Sequence, residues 1–348
     1  MSLQISRNNY GFNTIILIGM GRRLGIFNYL YEKAKSFPCS DKNIEVSFKP
    51  NKLSDNLNLD SDYLDGWLHL ALECGIFEIA NSENKLLKTA PYVYDLLIDR
   101  NNAFYIGGTL GAFYYIAPAQ DTFIENFKTG KIWSILDLPG DVMKDLQERG
   151  ARFGALVERL FSKKYGVFCK SIKERGTILE VGCGYGFNLE TWAKKYKKIK
   201  FVGIDIDPIA IAHAKKLIDK NNWNERIEIY EMGIDEFTVS FKQKFDLIIL
   251  NQVLHEMNTD ENYRIGVFKN LYSLLKDEGI LLIGESMIPD TFAPKKRFQL
   301  FDITHKFTEV KSSLFYNEKT FREFITSTPF TRSEFKKEGG NSIWVIRK

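Results

Sequence analysis

The sequence predicts a two-part α/β protein: a Rossmann-like, doubly wound sheet in the second half, behind an N-terminal, mainly helical winged-helix domain. Three observations carry this. The segment ILEVGCGYG, Ile178 to Gly186, runs from strand-favouring positions into glycines 182, 184 and 186, and Leu189, Trp192, Ala193 and Tyr196 follow at helical spacing. A second apolar run, FVGID, ends on Asp205, nineteen residues past the last glycine. In the first half, residues 48–90 read as helix, turn, helix and hairpin.

In chain order, residues 11–34 give one or two apolar-faced helices. A short helix carries Leu53 and Leu57. A second, capped by Asp60 or Ser61, puts Leu64, Trp67, Leu68 and Ala71 on one face. The hairpin is Ile76–Ile79, a polar Asn81–Asn84 turn, and Lys85–Leu87. Residues 103–125 are rich in aromatics (Phe104, Tyr105, Phe113, Tyr114, Tyr115, Phe123), which suit core or subunit packing, with a minority walling a pocket. Residues 141–175 read as long bridging helices, with the domains divided as 1–165 and 166–348. Strands are expected near 178–182, 200–205, 226–231, 245–250, 279–285 and 342–347, with helices between them. The clearest helix carries Tyr263, Val267, Leu271 and Leu274.

Composition narrows the function classes. With 348 residues, 44% apolar and 26% charged, the chain is that of a globular two-domain protein. A net charge of +4 without a basic block gives no support for nucleic-acid binding. The second helix of the winged-helix pattern offers Asp62, Asp65, His69 and Glu73, not a basic reading face. Cys39, Cys74, Cys169 and Cys183 form no CxxC pair, which argues against a metal or disulfide framework and for a cytoplasmic setting. The apolar run Ile15–Met20 is too short to span a membrane, and no signal peptide or repeat is apparent.

The glycine turn is where chemistry is expected. A ligand with a ribose and a charged tail must approach backbone N–H groups that side chains would block. An acid at the tip of the next strand can accept hydrogen bonds from both ribose hydroxyls. A dinucleotide GxGxxG would need glycine at 187, where this chain has Phe187. GxGxG preceded by Glu180 instead resembles motif I of the class I S-adenosylmethionine-dependent methyltransferases. The stretch Phe245–Asp290 is similar to the small-molecule O-methyltransferases of the caffeic-acid and hydroxyindole type. There a strand ends in Asn251-Gln252, VLHEM follows, and a later strand ends in Glu285. LGIFNYL and ECGIFEI match recurring features of that family's winged-helix dimerisation domain.

The resemblance implies S-adenosylmethionine as cofactor, a small, aromatic acceptor and a homodimer made through the N-terminal domain; charge and composition point to neither nucleic-acid nor membrane partners. It implies that Gly182, Cys183 and Gly184, with Glu180 nearby, line the cofactor's amino-acid tail. Asp205 would hold the ribose, Ile206 would pack on the adenine, and the segment Glu231 to Asp235, with Gly233, Ile234 and Asp235, would border it. The family commonly has Gly-Asp where this chain has Gly233-Ile234, so the adenine contact is left open among these residues. Asn251 and Gln252 would lie beside the sulfonium. His255 would be the general base and Glu285 its orienting carboxylate, with Glu256 the lesser partner. A phenol with a pKa of about 10 needs such a base at neutral pH. The family's further glutamate ahead of the C-terminal helix is replaced in SSLFYNEK by Leu314, Phe315 and Tyr316, so that side is expected to be more apolar. His69, His213 and His305, with no motif around them, are expected to be structural. Methyl transfer to nitrogen or carbon, and a winged-helix regulator sensing the cofactor, are the alternatives.

Overall fold

The computed structural model describes residues 2–35, 44–100, 102, 104–116, 118–133, 140–148, 165–292, 300–309, 311–338 and 341–348. The chain packs as two compact units, residues 1–124 with 141–152, and residues 125–140 with 153–348. Much of the expected bridging segment, residues 149–164, lies outside the described residues.

In the first unit, α1 (Ser2–Arg23) and α2 (Ile26–Ala34) are separated by Gly25, whose φ of 78° ends one helix and starts the next. Helix α3 (Pro50–Leu57) opens on a proline, where the missing N–H costs nothing. Helix α4 (Ser61–Glu73) is capped by Asp60, whose carboxylate accepts from the N–H groups of Asp62 and Tyr63. Leu64, Trp67, Leu68 and Ala71 form its buried face. The hairpin is β2 (Phe77–Asn81) and β3 (Leu86–Thr89), to which the short β1 (Ser47–Phe48) adds on the β3 side. Phe77 packs edge-on to Phe48 at 5.0 Å and beside Trp67 at 5.9 Å, tying hairpin to helix. Helix, turn, helix and hairpin stand where the sequence places them.

A buried ionic cluster closes this unit. Arg22, at the end of α1, lies 2.6 Å from Asp145 and 2.7 Å from Glu148, and also bonds the Tyr105 hydroxyl. Arg100 reaches the other oxygen of Glu148 at 3.0 Å. Asp145 lies on α7 (Gly140–Gln147), which follows α5 (Gly107–Ile116) and α6 (Gln120–Thr129). Burial pushes the Tyr105 hydroxyl up to about 12, so it stays a neutral donor.

The second unit is built on a seven-stranded sheet. After α8 (Gly166–Arg175) come β4 (Thr177–Val181), α9 (Phe187–Lys195), β5 (Lys200–Asp205), α10 (Pro208–Lys220), β6 (Ile227–Glu231) and α11 (Ile234–Ser240). Then follow β7 (Phe245–Asn251), α12 (Glu261–Leu274), β8 (Leu275–Glu285), α13 (Leu300–Thr308), α14 (Glu318–Thr326), β9 (Arg332–Glu338) and β10 (Asn341–Arg347). Strand order is β6-β5-β4-β7-β8-β10-β9. The first five are parallel, β10 is antiparallel to β8, and β9 is antiparallel to β10. Order reverses beside β4, which puts the topological switch point at the carboxyl ends of β4, β5 and β7.

Strand residues alternate between two cores. Leu179, Val202, Ile248 and Leu281 join one side with α11, α12 and α14. Ile178, Phe201, Leu247, Ile249 and Leu282 join the other with α9 and α10. A strand apolar on both faces is the pattern of a sheet covered on both sides. The sequence predicts six of the seven strands. It misses β9, RSEFKKE, because an edge strand carrying charge lacks the apolar signature and is protected from mispairing by that charge.

Replacing Arg22 by Met keeps the aliphatic stem but leaves Asp145 and Glu148 without their shared guanidinium. The expected loss is about 3–5 kcal/mol in urea unfolding, the scale for a buried pair with one partner removed. A loss under about 1 kcal/mol would show that the cluster is not structural.

Candidate active site

The candidate residues Glu180, Gly182 to Gly184, Asp205, Ile206, Gly233, Asn251, Gln252, His255 and Glu285 lie at or near the carboxyl ends of the parallel strands. At the end of β4 the chain turns through Gly182, with φ of 71°, and its N–H and that of Cys183 both donate to the Ile204 carbonyl. A Cβ at Gly182 would lie 2.3 Å from Val253 Cγ2, so no other residue fits. The Gly184 N–H donates to one oxygen of Asp205 at 2.7 Å, and the Asp207 N–H to the other at 2.9 Å. A carboxylate oxygen has more than one acceptor site, so these donors leave Asp205 capacity to accept further hydrogen bonds. Burial raises the Asp205 carboxyl, against these backbone donors.

Beneath the loop lies Glu180, buried on β4. It accepts from the Asn188 side chain at 2.8 Å, and its second oxygen has no partner among the described residues. Burial pushes its pKa up to about 8. Cys183 is buried too, and burial raises its thiol, which is therefore no nucleophile.

At the end of β5, Ile206 is 73% exposed, an apolar side chain held out of the core beside Gly233. Gly233 caps α11. Ile234 is buried in the core at 4% exposure, and Asp235 accepts from Asn270 at 2.6 Å. Of the three candidates, Gly233 alone presents a bare edge to Ile206.

At the end of β7, Asn251 pairs in register with Gly284 of β8. Gln252 follows with φ of 56°, a strained conformation for a non-glycine residue, fixed by its N–H donating to the Gly284 carbonyl at 2.7 Å. Its side-chain oxygen accepts from Ser286 at 3.1 Å.

The chain then enters a single 3₁₀ turn, Leu254–Glu256, that carries His255. Its Nδ1 lies 2.8 Å from Glu285 Oε1. The same carboxylate accepts the His255 backbone N–H at 3.2 Å and the Ser286 N–H at 2.7 Å. In the neutral ring these bonds favour the proton on Nδ1 and leave Nε2 without one. Nε2 has no hydrogen-bond partner among the described residues. It lies 3.6 Å from Glu309 and 3.8 Å from Glu256. The ring stacks on Phe315 at 4.9 Å and meets His305 edge-on at 4.5 Å. Burial works to lower the imidazole pKa, but Glu285, Glu256 and Glu309 outweigh it and lift it to about 9. Burial likewise works to raise Glu285, and His255 holds it below its ordinary range.

Three residues to which the sequence reading gave no site role, Glu309, His305 and Arg264, belong here. Glu309 supplies a carboxylate on the side expected to be apolar. It comes just after α13 rather than from SSLFYNEK, so Phe315 and Glu309 share that wall. His305, expected to be a lone structural residue, touches both, with Nε2 2.6 Å from Glu309 Oε1. Its i,i+4 spacing from Glu309 was the available signal. Arg264 is the other omission. Wholly buried on α12, it donates to the carbonyls of Met257 and Asn258 at 2.8 Å and so clasps the exit of the His255 turn.

Residues 179–281 match the family model described as a methyltransferase domain. The chain is 29% identical over 195 residues, 56% of its length, to a malonyl-[acyl-carrier protein] O-methyltransferase of Ilyobacter polytropus. It spans 65% of that relative, just under two thirds. Its fold is similar to that of human N-acetylserotonin methyltransferase in complex with S-adenosylmethionine (TM-score 0.64, 14% identity, 99% and 96% of the two chains). It is equally similar to the N,N-8-amino-8-demethyl-D-riboflavin dimethyltransferase of Streptomyces davawensis (TM-score 0.64, 15% identity, 100% and 99%). Residues 179–281 of the second unit thus match a methyltransferase domain, and the second unit is Rossmann-like in fold and follows a mainly helical N-terminal unit in the chain.

The His255 environment sets a pH dependence with a definite sign. A folded pKa raised from 6.5 to about 9 contributes stability that is complete below pH 6.5 and lost as pH rises through 9. His255→Gln is therefore expected to destabilise the protein more at pH 6 than at pH 9.5. The His255 imidazole signal, followed by NMR, is expected to titrate near 9 and to fall in Glu285→Gln. A midpoint at or below 6.5 in the unaltered protein would contradict the assignment.

Proposed function

We propose that the chain transfers a methyl group from S-adenosylmethionine to a hydroxyl oxygen of a small, aromatic molecule, with His255 as general base. The observation that carries this is the His255–Glu285 pair at 2.8 Å, standing on the same sheet edge as the glycine loop and Asp205.

The residues present fit the cofactor. Gly182 and Gly184 expose backbone where side chains would obstruct its tail, and the unpartnered oxygen of Glu180 stands below that tail. The remaining acceptor capacity of Asp205 suits two ribose hydroxyls, and the exposed Ile206 with the bare edge of Gly233 suits the flat face of adenine. Asn251 and Gln252 end the strand that borders this space. When bound, the cofactor supplies an electrophilic methyl group on positively charged sulfur. The chain must align the acceptor and take its proton. Nδ1–H, held by Glu285, leaves Nε2 to accept the hydroxyl proton as the new O–C bond forms and the S–C bond breaks. Phe315 offers a flat apolar wall beside that nitrogen.

The raised His255 pKa supports a second reading. An imidazole protonated at neutral pH cannot take a proton, and an amine acceptor, neutral in its reactive form, needs none removed before attack. N-methylation by proximity is favoured if the rate shows no dependence on His255 ionisation.

Assembly is read from the first unit. Tyr10, Phe12, Tyr63, Ile79 and Phe104 are each about half exposed or more, an unusual density of apolar surface. A homodimer made by the first 120 residues would cover part of it.

Four outcomes test these readings. S-adenosylmethionine or its demethylated product is expected to raise the melting temperature, and NAD is not. Asp205→Ala is expected to weaken cofactor binding by about 1–3 kcal/mol in calorimetry. His255→Ala is expected to slow transfer to a neutral hydroxyl by about 10²–10⁴-fold with cofactor affinity unchanged, and the unaltered rate should rise with pH to a plateau above about 9. Stabilisation by NAD, or near-normal turnover in His255→Ala, defeats the corresponding step. Light scattering at micromolar concentration is expected to give a dimer, and a monomer would overturn the assembly.

A further inference from the structure

We infer that His255, His305 and Glu309 form a binding site for a divalent transition metal such as zinc, and that occupancy silences the Nε2 atom of His255. Each offers one ligand atom, and these lie within 4.8 Å of one another. His255 Nε2 is 3.6 Å from Glu309 Oε2, and His305 Nε2 is 2.6 Å from Glu309 Oε1. Ligand atoms about 2.0–2.2 Å from a tetrahedral zinc are about 3.3–3.5 Å apart, so closing the first gap slightly and opening the second admits an ion.

The independent pointer to a ligand is His255 itself. It is 1% exposed, yet its Nε2 has no hydrogen-bond partner among the described residues and faces this cluster. Its opposite nitrogen is held by Glu285 at 2.8 Å, the carboxylate–histidine arrangement that orients imidazole toward a metal. Glu309 is steadied by Ser313 at 2.6 Å. Glu256, with an oxygen 3.8 Å from Nε2 and a half-exposed side chain, is placed to supply a fourth ligand or to leave that position to water. Two imidazoles and carboxylate suit zinc or cobalt better than magnesium or calcium, which favour oxygen alone. A metal on Nε2 occupies the lone pair that proton transfer requires. Binding stands independently of methyl transfer, whereas inhibition rests on the proposed role of His255.

The test titrates the full chain, first stripped with chelator, with zinc alone against a chromophoric competitor. One equivalent is expected to bind at micromolar or lower dissociation constant. His305→Ala and Glu309→Gln should each weaken it at least 100-fold, and Glu285→Gln about 10–100-fold, with circular dichroism unchanged. Cobalt is expected to give the intense visible bands of a tetrahedral site in the unaltered protein and not in His305→Ala. Should one variant fail to fold, the other and the cobalt spectrum of the unaltered protein decide. Absence of stoichiometric binding, or binding undiminished in the folded variants, overturns the site. Methyl transfer measured with and without zinc, and after chelator is restored, separates the two claims. Binding without inhibition refutes the silencing of Nε2 and leaves cofactor binding, assayed separately, untouched.

Discussion

The site depends on the pairing of β7 with β8. Asn251 lies opposite Gly284, and that register puts Glu285, the next residue of β8, beside the turn that β7 delivers. A one-residue slip would reverse the faces of every side chain on the strand and carry Glu285 away from His255. The register is held from several directions. Ile248, Leu250, Leu281 and Ile283 are buried on one face, and the Gln252 N–H bonds the Gly284 carbonyl. The strained backbone of Gln252 persists because this packing over-determines it.

The same register explains why a single histidine can sit so deep. Burial disfavours a charged imidazole, yet three carboxylates converge on it, and attraction exceeds desolvation. Arg264 offsets none of this charge directly. It bonds carbonyls at the exit of the turn and the Tyr316 side chain, and its guanidinium lies 5.6 Å from the Tyr316 ring centre. Charge and backbone are fixed by separate devices. At the glycine loop the logic is geometric. Gly182 and Asp205 are joined through Gly184, so the loop and the acid form one rigid edge.

Much of this was legible in the sequence, where signals are local. The glycine spacing, the Asp205 strand tip and the VLHEM turn need only neighbours along the chain to be read. The alternation that builds the sheet and the Asp60 cap are local as well. Glu309 and His305 offered only their i,i+4 spacing as a local signal, because α13 reaches the His255 turn only through the tertiary fold. Arg264 was hidden by its pattern, since a cation on the buried face of an amphipathic helix looks like a break in the apolar stripe. Ile234 shows the converse limit: position in a motif does not reveal that its side chain faces the core.

The central claim is that the glycine loop, Asp205 and His255 serve one reaction centre. A crystal structure of the full chain with S-adenosylhomocysteine tests it most directly. The account expects the ribose hydroxyls on Asp205, adenine against Ile206 and Gly233, and the sulfur facing the side on which His255 Nε2 lies. A cofactor seated elsewhere, or a sulfur turned away from His255 with the imidazole sealed in the core, would contradict it.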